Sequence, residues 1–190
     1  MKGEKEEGGE AVKESLEILL SREQIAARVD RLADQINRDY ENKKPLLVCI
    51  LKGAVVFLSD LMRRLTLPVE IDFMAVSSYG QSTSTSGIVR ILKDLEYTVS
   101  EKDVLVVEDI VDTGLTLNYL CKNLLQRRPR SLKVASLLDK PERRKVDFIP
   151  DYLGFSIPDH FVVGYGLDFD ERYRHLPDIC ILKRRAPVQD

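Results

Sequence analysis

A chain of 190 residues has the length of one domain, and a chain of that size buries roughly 70% of its unfolded surface without needing staples. Its 44% hydrophobic and 32% charged residues suit a globule and exclude a disordered or collagen-like chain. With 29 Lys plus Arg against 31 Asp plus Glu, the net charge of −2 argues against a dedicated nucleic-acid binder.

Residues 1–14 read as a flexible, solvated N-terminal tail, and residues 15–190 as one domain. Ser21 with Gln24 fits a capping box, and Ile25, Val29, Leu32 and Ile36 recur at helical spacing, predicting a helix to about Asp39. The apolar run Leu46–Leu51 predicts a strand buried on both faces, as in a parallel sheet covered by helices. Lys52-Gly53 interrupts it, after which Val55, Leu58, Met62 and Leu65 fall at helical spacing. Val69, Ile71, Phe73 and Ala75 alternate as the inward side of a half-buried strand. Ser77 to Gly87 is hydroxyl-rich and glycine-bracketed, and predicts a mobile loop, whether a lid, a binding segment or a plain solvent loop, with a strand returning over Ile88 to Leu92. Further strands are expected at Val104–Val107, Val134–Leu138, Phe161–Val163 and Ile179–Leu182, with a helix through Leu117, Leu120, Leu124 and Leu125. The alternation predicts an α/β fold with a mostly parallel central sheet flanked by helices.

No apolar stretch approaches the ~20 residues of a membrane span, and Met1 to Glu10 lacks the apolar core of a signal peptide. Cys49, Cys121 and Cys180 are odd in number, far apart and set in apolar runs, so buried free thiols in a reducing compartment are expected. Together these point to a cytoplasmic protein. No C-x-x-C pair occurs, and two histidines leave little for a histidine-based metal hydrolase.

Chemistry concentrates in Val104 to Thr116, V-L-V-V-E-D-I-V-D-T-G-L-T. An apolar strand runs into Glu108-Asp109, and Asp112-Thr113-Gly114-Leu115-Thr116 then opens a helix. Ligands in open α/β sheets bind at the carboxyl ends of strands, where this turn would sit. Thr113, Gly114 and Thr116 offer hydroxyls and N–H groups at a helix N-terminus, an anion site suited to phosphate. The paired acids repel phosphate but accept hydrogen bonds from vicinal sugar hydroxyls, so the segment suits a sugar phosphate. Asp112 alone would serve as an N-cap.

This string resembles the phosphoribosyl-pyrophosphate signature of the type I phosphoribosyltransferases. Leu51-Lys52-Gly53 is similar to the family's pyrophosphate loop, in which the first peptide is often cis. Ser78-Tyr79 resembles the head of its lid. Phe161 to Asp168, with Arg174 beyond, resembles the purine-binding stretch of the hypoxanthine-guanine members. The resemblance runs from about Leu16 to Leu182 and implies that family's fold, with a small hood and a mobile lid. It also implies transfer of the phosphoribosyl group from phosphoribosyl pyrophosphate to a 6-oxopurine, hypoxanthine or guanine, giving IMP or GMP. Glu108 and Asp109 would hold ribose hydroxyls, directly or through magnesium-bound water. Asp112 would meet N7 of the base as general base, proton carrier or hydrogen-bond acceptor. Thr113 to Thr116 would cradle the 5′-phosphate, and Lys52, Gly53 and Arg174 would take pyrophosphate. Phe161 and Ile110 would sandwich the base, the Val162 backbone would read its edge, and Asp168 would bind Mg2+. A homodimer or homotetramer is implied, with no nucleic-acid or membrane partner.

Two departures stand out. Counting back from Gly154 puts the lysine with which relatives recognise the exocyclic oxygen of the purine at Ile149, with Lys145 the nearest substitute. Leu115 stands where some relatives carry lysine, a change that a backbone cradle survives. A xanthine-preferring enzyme, and a nucleotide-sensing regulator that binds nucleic acid on the same scaffold, are the alternatives.

Overall fold

The computed structural model describes residues 13–78 and 89–185. The elements run β1 (Lys13–Leu20), α1 (Arg22–Asp39), β2 (Leu46–Leu51), α2 (Val55–Met62), β3 (Glu70–Ser78), β4 (Val89–Lys93), β5 (Asp103–Val111), α3 (Leu115–Gln126), β6 (Ser131–Asp139), a 3-10 turn (Pro141–Arg143), β7 (Tyr152–Ser156), β8 (Val162–Val163) and β9 (Ile179–Arg185).

Six strands form the central sheet in the order β4-β3-β2-β5-β6-β7, parallel except for β4 on β3. The expected mostly parallel α/β sheet is therefore present. Continuous apolar runs build its middle because both faces are covered. Leu47, Cys49, Leu105 and Val107 face the side packed by α1 and α2. Val48, Val104 and Val106 face the side packed by α3. All three cysteines are buried and free. The capping box starts α1, with Ser21 N–H donating to Gln24 Oε1 at 2.8 Å. From α1, Arg28 reaches the outer edge of the sheet and donates to the carbonyls of Gly154 (2.7 Å) and Leu153 (2.6 Å), closing an edge that would otherwise offer unpaired backbone.

Four expectations need correction. Lys13 and Glu14 are strand rather than tail: β1 pairs antiparallel with β9, and the Glu14 carboxylate accepts from Arg172 and from the Tyr173 hydroxyl. The strands at Val162 and Ile179 leave the main sheet and join β1 in a three-stranded antiparallel sheet, β1-β9-β8. Its residues Val162 and Ile179, with Leu167 of the turn after β8, pack on the core beneath α1 and α2, which supplies the small hood. In β3 the fully buried side chains are Asp72 and Met74, while Ile71 is exposed, because β3 is covered on the α3 side as well. Leu65 lies beyond the end of α2. The lid, Tyr79 and the start of the returning strand at Ile88 lie outside the described residues.

Candidate active site

The carboxyl ends of β2, β5 and β6 lie side by side, and each leads directly into a polar segment. β2 ends at Leu51, and the Leu51–Lys52 peptide is cis. Gly53 follows, and only glycine fits there: a Cβ would lie 1.6 Å from Asp109 Oδ2. The pyrophosphate-loop candidate and the acid pair are thus packed together at backbone level. Ser78 closes β3, its backbone paired with Val89.

Glu108 and Asp109 stand where β5 leaves the core. Glu108 Oε2 is buried with no hydrogen-bond partner among the described residues. Burial and the neighbouring Asp109 push the Glu108 carboxyl well above the usual range. Burial also pushes Asp109 up to about 6, against the lowering effect of the Ile110 N–H, which donates to it at 2.8 Å, and of the Arg174 charge. Two such acids are built to meet hydroxyl donors or positive charge.

Beyond them the chain turns through Asp112 to Thr116 into α3. Gly114, with φ +78°, is the N-cap residue, so Asp112 does not fill that role. Thr113 Oγ1 accepts from the Leu115 N–H at 3.4 Å. A pocket of about 160 Å³ lies here, lined by Glu108, Asp112, Thr113, Gly114 and Thr116 with their neighbours. Leu115 points outward, 42% exposed.

A second cavity, of about 500 Å³, adjoins it, within the size range of small-molecule sites. Ile110, Asp112, Phe161, Val162 and Asp168 all line it, together with Lys140. Phe161 is half exposed and held edge-on by Phe169, with ring centroids 5.6 Å apart. Lys140, which sequence reasoning did not single out, lines this cavity and is 8% exposed, whereas Ile149, where counting placed the lysine, is 82% exposed. Lys140 directly follows β6, so the carboxyl-end rule that singled out Glu108 would also have found it. Its backbone N–H donates to Val111 O at 2.9 Å, fixing it beside the Asp112 turn.

The cations near the other end of the site are already paired. Lys52 Nζ lies 2.9 Å from Glu171, and Arg174 lies 2.9 Å from Asp168 and 3.2 Å from Glu171. Lys52 and then Arg174 hold the Glu171 carboxyl below its ordinary range. Arg174 Nε is buried and has no partner among the described residues. Among those residues no three His, Cys, Asp or Glu side chains gather around one ion position. Magnesium asks less of a protein than that, since it keeps waters and needs one or two carboxylates beside substrate phosphate.

A hydroxyl-rich turn at a helix start, two acids beside it and a cavity at the same end of the sheet fit the phosphoribosyltransferase resemblance read from the sequence. Residues 15–170 match the family model described as a phosphoribosyl transferase domain, and the chain belongs to that family. The chain is 52% identical over 175 residues to hypoxanthine-guanine phosphoribosyltransferase of Mycobacterium tuberculosis, covering 89% of this chain and 87% of that protein. It is 48% identical over 166 residues to the enzyme of the same name from Bacillus subtilis, covering 87% and 92%. The crystal structure of a hypoxanthine-guanine phosphoribosyltransferase from Bacillus anthracis superposes with a TM-score of 0.84 at 45% identity, covering 90% of this chain and 99% of that one. Within the family, the chain belongs to the hypoxanthine-guanine phosphoribosyltransferases.

Proposed function

We propose that this chain salvages purines by transferring the phosphoribosyl group of 5-phosphoribosyl 1-pyrophosphate to hypoxanthine or guanine, giving IMP or GMP and pyrophosphate. The observation that carries the reading is the Lys140 ammonium, buried in the same cavity as Phe161 and Asp112, with a contact to Asp159 at 3.5 Å that leaves further donors for a ligand. An ammonium only donates hydrogen bonds. It meets the exocyclic oxygen of a 6-oxopurine, whereas the amino group of adenine would set donor against donor. Sites that hydrogen-bond a substrate group reject analogues lacking it by large factors, because a buried polar group is left unpaired.

In this reading Phe161 and Ile110 hold the base between them, the Val162 backbone reads its edge, and Asp112 accepts the proton carried at N7. Glu108 and Asp109 take the ribose hydroxyls, which satisfies the orphan Glu108 oxygen. Thr113, Gly114, Leu115 and Thr116 hold the 5′-phosphate with their backbone, and Ser78 and Tyr79 belong to the segment that excludes water. Departure of pyrophosphate concentrates charge on its oxygens, and Lys52, Gly53 and Arg174 are suited to receive it. Asp168 is the carboxylate best suited to a Mg2+ shared with pyrophosphate, and the ion would supply further charge neutralisation. A cytoplasmic homodimer or homotetramer completes the proposal. Among the described residues no helix is long and apolar enough to cross a membrane.

The test is nucleotide formation from phosphoribosyl pyrophosphate and Mg2+ with hypoxanthine, guanine, xanthine and adenine in parallel. Turnover of hypoxanthine and guanine with adenine inert is expected. Preference for xanthine would overturn the substrate assignment, and turnover of no base would overturn the activity.

A further inference from the structure

Asp112 is held by more than its own loop. The segment following Lys140 folds back onto it through three contacts. Arg144 donates from Nη1 to the Asp112 carbonyl at 2.8 Å, while its Nη2 is paired with the nearly buried Asp139 carboxylate. The Lys145 N–H donates to the Thr113 carbonyl at 3.0 Å. Arg143, at the end of the 3-10 turn, donates from Nε to Asp112 Oδ1 at 2.5 Å and from Nη1 to Asp159 Oδ2 at 3.2 Å. Arg144 thus fixes the backbone of Asp112, and Arg143 fixes its carboxylate. A carboxylate has two oxygens and about four acceptor positions. With Oδ1 engaged by Arg143, and Arg143 itself moored to Asp159, the remaining oxygen is oriented for a ligand in the cavity that Asp112 lines.

We propose that Arg143 is a positioning residue for Asp112, moored by Asp159, which fixes the carboxylate rotamer that receives the purine proton. The inference rests on the reading of Asp112 given above. Arg143 and Asp159 line the same cavity, but the Arg143 guanidinium is engaged by Asp112 and Asp159, so a role confined to positioning must vanish once Asp112 has no carboxylate to orient, whereas a direct substrate contact would not.

That requirement makes a double-mutant cycle the test. R143Q, R143K, D112A and the double variant D112A/R143Q are assayed for nucleotide formation with saturating hypoxanthine and phosphoribosyl pyrophosphate, and KM is measured for both substrates. D112A should lower kcat by about 100-fold or more, the scale of a lost acid–base group. R143Q should lower kcat by about 10-fold with both KM values within about 2-fold, and R143K should recover part of the loss because charge returns without the planar fork. In the D112A background, adding R143Q should change kcat by less than about 2-fold. Arg143 is 44% exposed in its side chain, so the variants should unfold at the wild-type temperature. An R143Q kcat equal to wild type would overturn the proposal, as would a 10-fold loss that persists in the D112A background. A D112A enzyme of near-normal kcat would instead overturn the reading of Asp112 itself.

Discussion

Replacing Asp109 by asparagine should stabilise the ligand-free protein, and only at neutral to alkaline pH. Burial raises the carboxyl of Asp109 from 3.8 to about 6. Between those values the folded chain binds more protons than the unfolded chain, so stability falls as pH rises through the window and the full penalty is present above about pH 6. A shift of about 2 pH units corresponds to at most ~3 kcal/mol at 1.36 kcal/mol per unit. The asparagine amide brings one unmet hydrogen bond costing ~1 kcal/mol, while its oxygen can still accept from the Ile110 N–H. The net gain at pH 8 should therefore be about 1–2 kcal/mol, or roughly 3–6 °C in melting temperature for a domain of this size. Near pH 4 the gain should disappear. Thermal unfolding of wild type and Asp109→Asn from pH 4 to pH 8 measures it, and turnover in the same samples should be low because the ribose loses an acceptor. An equal gain at both ends of the range, or a variant less stable at pH 8, would refute the idea that a desolvated carboxylate is stored here for the ligand.

Three further outcomes follow from the same contacts. Lys140→Gln should lower kcat/KM for hypoxanthine and guanine by about 100-fold while leaving the affinity for phosphoribosyl pyrophosphate near wild type, by calorimetry. Gly53→Ala places a Cβ 1.6 Å from the Asp109 carboxylate, so the acid must move; binding of phosphoribosyl pyrophosphate should be lost at a folding cost of about 1–3 kcal/mol in urea unfolding. Arg28→Ala removes two hydrogen bonds from the sheet edge and should cost about 2 kcal/mol in the same unfolding assay, with turnover at permissive temperature unchanged.

Local physics was legible in the sequence wherever one segment decides its own structure. The capping box before α1, the buried run Leu46–Leu51 and the strand-to-helix turn around Gly114 depend on neighbours a few residues away, and their bounds agree closely with the structure. β1 and β7 were not legible. β1 carries charged residues and takes its order from pairing with β9, more than 150 residues on. β7 is five residues long, and its Gly154 lies against the Leu137 carbonyl of the next strand, a contact no composition reveals.

The same division runs through the site. The sequence by itself determined which residues could bind a sugar phosphate, because Glu108 to Thr116 are contiguous and their chemistry depends on spacing alone. Tertiary structure decided which lysine lines the cavity. Counting along the chain pointed to Ile149, but the turn after β6 buries Lys140 in the cavity and leaves Ile149 in solvent. It also decided that Gly53 must yield its space to Asp109, and that Lys52 reaches Glu171, 119 residues on, beside the local Arg174–Glu171 pair. Strand order brings these groups together, and strand order is set by long-range pairing and burial, which no local pattern records.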